Sequence, residues 1–70
     1  MKSKKEVITN YLETAEEALL KIQLRIEYVN TRYAQENKQS FLQDLAQLTA
    51  DLKETEAWIE FLKSQLQKES

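Results

Sequence analysis

Apolar residues recur along the first half of the chain at Ile8, Leu12, Ala15, Leu19, Ile22, Ile26, Val29 and Tyr33, alternately four and three apart. That rhythm is the a/d stripe of a heptad repeat, one helix face turned toward another helix. Positions 12, 19, 26 and 33 are a, and the others are d. The second half repeats it at Phe41, Leu45, Leu48, Leu52, Thr55, Ile59, Leu62 and Leu66, where only Thr55 is not fully apolar. The stripes are out of phase. Continued through the middle, the first would fall on Glu36, Ser40, Gln43 and Gln47, all polar. A single long helix would carry its two seams on different faces.

Folding the chain back removes the conflict. Antiparallel pairing sets Tyr33 with Phe41, Ile26 with Leu48, Ala15 with Ile59 and Ile8 with Leu66, and every such pair of numbers sums to 74. Each layer then matches an a position with a d position. The turn centres on Asn37, and Asn tolerates the left-handed conformation better than other residues bearing a Cβ. The pattern predicts an all-α fold, an antiparallel two-helix coiled-coil hairpin, completed into a bundle by a second copy or a partner helix. The expected bounds within residues 1–70, one helical hairpin, are a first helix at about 4–35, a turn at about 36–39 and a second helix at about 40–68. Each arm should be about 42–48 Å long at 1.5 Å per residue. Ser3 with Glu6, and Ser40 with Gln43, have the spacing of capping boxes. On one flank, where paired numbers sum to 76, Arg25 should face Asp51 and Arg32 should face Asp44.

Composition narrows the picture. The chain has no Gly, Pro, Cys or His. A chain of 70 residues buries little core, and chains of this size lean on a disulfide, a metal or a partner. Without Cys there is no disulfide. Without His the commonest metal ligand and the usual general base are missing. A partner chain is the remaining source of stability. Ten basic and twelve acidic residues give a net charge of -2, not the basic footprint of a nucleic-acid binder. No apolar run approaches the ~18 residues of a membrane span, and the basic opening Lys2-Ser3-Lys4-Lys5 has no apolar stretch after it, as a signal peptide would. The expectation is a cytoplasmic protein.

Two apolar groups lie off the seam. Leu20, Leu24 and Tyr28 occupy b, f and c, on the back of the first helix. Val7, Tyr11, Trp58 and Phe61, with the small Ala18, occupy g and c on one flank near the open end. A helix that is apolar on two faces has neighbours on two sides, so these seven large side chains are the candidate partner-binding residues. Scattered surface apolar residues are also ordinary, and Trp58 with Tyr11 has the position to cover the seam of its own hairpin. Glu13, Glu16, Glu17, Glu54, Glu56 and Glu60 gather at the open end, with Glu16 facing Glu56 across the e flank. They form either a docking end for a basic partner or a solvated face.

No catalytic, cofactor or metal site is expected. A Glu-x-x-His metal motif needs His, a phosphate loop needs Gly, and a thin hairpin has no dry pocket to perturb a carboxylate. The short basic tip is expected to be a solvated terminus. The leading expectation is a non-enzymatic protein-interaction module, a small adaptor, chaperone or inhibitor that takes a partner's amphipathic helix. A self-associating four-helix bundle is the alternative, with no small-molecule substrate in either case. In layout the chain resembles the Rop-type plasmid proteins, short hairpins that dimerise. In size and topology it is similar to the small co-chaperones that hold needle subunits in type III secretion. Neither resemblance rests on shared residues, so neither family's function is carried over.

Overall fold

The computed structural model describes residues 2–69. Helix α1 runs Lys4–Glu36 and helix α2 runs Ser40–Glu69, packed side by side as an all-α helical hairpin. The molecule measures 51 × 16 × 15 Å, slightly longer than the expected arms. No helix among the described residues is long and apolar enough to cross a membrane.

The caps explain where the helices begin and end. The Glu6 N–H donates to Ser3 Oγ at 3.2 Å, which satisfies one of the free N–H groups at the start of α1, and the Val7 N–H makes the first helical bond to the Ser3 carbonyl at 3.1 Å. At the other end Asn37 adopts φ 54°, ψ 32° and donates its N–H to the Tyr33 carbonyl at 2.8 Å. This is the left-handed close expected of Asn, without a glycine. The capping box expected at Ser40 does not form. Ser40 is already helical, and the N–H groups of Phe41 and Leu42 donate instead to the carbonyls of Lys38 and Gln39, at 3.1 and 3.0 Å. Backbone acceptors in this tight turn take the first donors of α2, so the helix is under way before Ser40 could cap it.

The expected seam is the observed interface. Every seam position, from Ile8 to Tyr33 and from Phe41 to Leu66, is buried or half-buried. Ile8, Ala15, Ile59 and Leu62 form the densest cluster, with Leu12, Leu19 and Leu66 packed against it. In the turn half only Val29 is fully buried, although bulkier residues line that stretch. The core therefore sits toward the open end, beneath the aromatic flank.

The two flanks of the seam differ. Off-seam residues that are half-buried are Val7, Ala18, Arg32, Asp51 and Gln65, all on the g side, whereas every e-side residue is exposed. The expected ion pairs across the g flank are absent. Arg32 pairs with Glu36 one turn along its own helix, donates to the Tyr28 hydroxyl at 2.8 Å, and lies over the rings of Tyr28 and Phe41. A partner within the same helix needs less side-chain ordering than one across the seam. Asp51 accepts from Gln47 at 3.1 Å, and Arg25 makes no ion pair among the described residues. The ion pair that does cross the helices joins Lys4 to Glu69 at 3.5 Å, at the open end.

Candidate interaction surface

Three large apolar side chains stand out from the back of α1. Leu20, Leu24 and Tyr28 are 61%, 64% and 57% exposed. Their spacing of four residues makes them one inclined ridge, the kind of row that fits the groove of another helix. Around it lie Glu13, Glu17 and Glu27, against two cations, Lys21, which pairs with Glu17 at 3.5 Å, and Arg32, which contacts Tyr28. The ridge is apolar with an acidic border. Tyr28 also ties it to the turn through the Arg32 contact described above, which holds the tyrosine ring in place.

The second surface is built by both helices. Tyr11 from α1 meets Trp58 from α2 with ring centroids 6.2 Å apart and planes tilted by 53°. Trp58 stacks on Phe61 at 5.8 Å and 13°. This aromatic row closes over the g side of the seam, and part of its role is to shield the hairpin's own core. Yet Tyr11, Trp58 and Phe61 keep about half their surface in solvent, more than a roof for the seam requires. Val7 differs from its companions: it is half-buried at the end of the row and contributes less free surface than expected.

Beside Trp58 the flank dips into a shallow groove of about 470 Å³, lined by Ile22, Asp51, Glu54, Thr55 and Trp58. The dip follows from the sequence. Thr55 is the smallest seam residue of α2 and lines the groove, so this stretch of the flank is less filled than its neighbours. Its floor is apolar and two carboxylates line it.

The ridge and the aromatic flank adjoin along one row of α1, which holds Val7, Lys21 and Tyr28. Leu42, 43% exposed on the e side near the turn, was not singled out by sequence reasoning. Its only signal was an apolar residue one place beyond Phe41, and it joins neither surface. The ionisation of the turn is local: the hydrogen bond from Arg32 holds the Glu36 carboxyl below the usual range, and the same bond raises the guanidinium.

No protein-family description matches the chain, and no curated protein or solved structure shows significant similarity to it. A functional reading rests on these surfaces alone.

Proposed function

We propose that the chain is a non-enzymatic protein-interaction module of the cytoplasm, an adaptor, chaperone or inhibitor that takes an amphipathic helix of a partner protein. The observation that carries this reading is the Leu20–Leu24–Tyr28 ridge, more than half exposed at each position and on the face away from the seam. The hairpin does not use this face for its own folding, and a helix apolar on two sides is built for two neighbours. A partner helix laid along the ridge brings an apolar stripe to the leucines. The acidic border favours Lys and Arg beside that stripe.

Binding of a synthetic amphipathic helix, Leu along one stripe with Lys beside it, tests this by titration calorimetry. Leu24→Gln removes the centre of the ridge without adding charge. Burial of one leucine is worth about 1.5–3 kcal/mol, so the variant should bind at least about tenfold more weakly. Equal affinity for wild type and Leu24→Gln would sink the ridge as the docking surface.

A further inference from the structure

We infer that the aromatic flank is covered by a second copy of this chain, the two hairpins stacked by their g flanks around a two-fold axis parallel to their length. This rests on the reading above, that apolar surface outside the seam is contact surface, and assigns one of the two surfaces to self-association. Leu20 and Leu24 stay free on the outside of the pair, once on each copy, with Tyr28 at its edge.

Charge carries the assignment. On this flank α1 presents cations, Lys21 and Arg25, and α2 presents Asp51 and Glu54, which line the groove beside Trp58. Within one chain these groups do not pair across the helices: Lys21 is held by Glu17, Asp51 by Gln47, and Arg25 and Glu54 make no ion pair among the described residues. A two-fold along the molecule keeps residue heights and sets α1 of one copy over α2 of the other. Flank positions whose numbers sum to 76 then meet between copies, as they do within one. Arg25 comes over the second copy's Asp51, and Lys21, one row further out, over its Glu54. Two cations enter a groove with two carboxylates, and symmetry repeats the contact. The same register puts the second copy's Trp58 over Ala18, the largest side chain on the smallest. A two-fold across the long axis instead lays the acidic row of α2 on itself.

Area agrees. A face of 51 by 16 Å offers roughly 800 Å² per copy, the size of a standard stable interface. The e flank lacks this complementarity, since Glu16 faces Glu56 there and every residue is exposed.

The test uses two charge-reversed chains: Lys21→Glu with Arg25→Asp, and Asp51→Arg with Glu54→Lys. Mass is read by sedimentation equilibrium and folding by helicity at high concentration. Wild type is expected to dimerise, and each reversed chain alone to dimerise at least about tenfold more weakly, because both intercopy ion pairs, and their symmetry copies, become like-charged. An equimolar mixture restores the dimer, since each reversed site then meets its complement. Trp58→Ala, with all charges kept, weakens the dimer independently. Pairing confined to one chain gives no rescue on mixing. A monomeric wild type, reversed chains that dimerise like wild type, or a mixture that stays apart overturns the inference. A monomer that still binds the Leu/Lys helix through Leu24 overturns it while leaving the proposed function standing. A dimer that binds no such helix does the reverse.

Discussion

Asn37 ends α1 by donating its backbone N–H to the carbonyl oxygen of Tyr33 at 2.8 Å, from the left-handed region at φ 54°. The hairpin reverses at this residue, and the heptad register of both arms depends on where it reverses. A β-branched side chain resists this conformation, at a cost of about 1–2 kcal/mol. Asn37→Val should therefore lower the urea midpoint, and Asn37→Gly should keep or raise it. Equal midpoints for Val and Gly would mean that the turn is not held at residue 37.

The seam and the exposed surfaces should respond in opposite ways. Leu62 is 2% exposed, whereas Leu24 is 64% exposed. Leu62→Ala should cost about 2–5 kcal/mol, enough to unfold a chain of this size. Leu24→Gln should change stability by no more than about 0.5 kcal/mol, as surface substitutions do. Chemical denaturation of the two variants side by side checks both values. A large loss in Leu24→Gln would show that the ridge is part of the folding core.

The register has its own test. Ala15 and Ile59 belong to the same buried cluster. Ala15→Cys with Ile59→Cys should form an intramolecular disulfide on mild oxidation, because paired seam positions bring Cβ atoms within bridging range. Ile26→Cys with Glu36→Cys, on the same helix and far apart, should not. The opposite result would require a different pairing of the arms.

How much of this could be read from the residues alone is clearest at particular positions. The seam was legible throughout, since a 4–3 alternation in two stripes that pair with a constant sum leaves one register. Asn37 followed as the midpoint of that register. The capping role of Ser40 and the cross-flank pairs of Arg25 and Arg32 were misjudged for a common reason. Spacing says which groups are near, but not which of several near partners wins. At Ser40 backbone carbonyls took the donors, and at Arg32 the winner was Glu36 one turn away, helped by two aromatic rings. The exposure of Leu20, Leu24 and Tyr28 followed from their heptad positions. The groove beside Trp58 was not singled out, because it depends on how Ile22 of one helix and Thr55 and Trp58 of the other pack together.

The Arg32–Glu36 pair makes the turn sensitive to acid. The hydrogen bond from Arg32 lowers the Glu36 pKa below its ordinary value of 4.5. A carboxyl whose folded pKa is depressed contributes stability that is complete above its unfolded pKa. That stability is lost as pH falls through the lower folded pKa. Wild type should therefore lose stability below about pH 4.5 more steeply than Glu36→Gln, which has no carboxylate to protonate there. Thermal midpoints of the two chains from neutral to acid pH measure the difference. Parallel curves would mean that the pair contributes nothing to the fold.

The central claim is that this hairpin carries more apolar surface than its own seam uses and that the surplus is for contact with other helices. Sedimentation equilibrium of the wild-type chain across the micromolar range, with helicity followed by circular dichroism on the same samples, tests it most directly. The account predicts a dimer at high concentration whose helicity falls as it dissociates on dilution. A monomer that keeps full helicity at every concentration would contradict the self-association, and one that also fails to bind the Leu/Lys helix would contradict the whole claim.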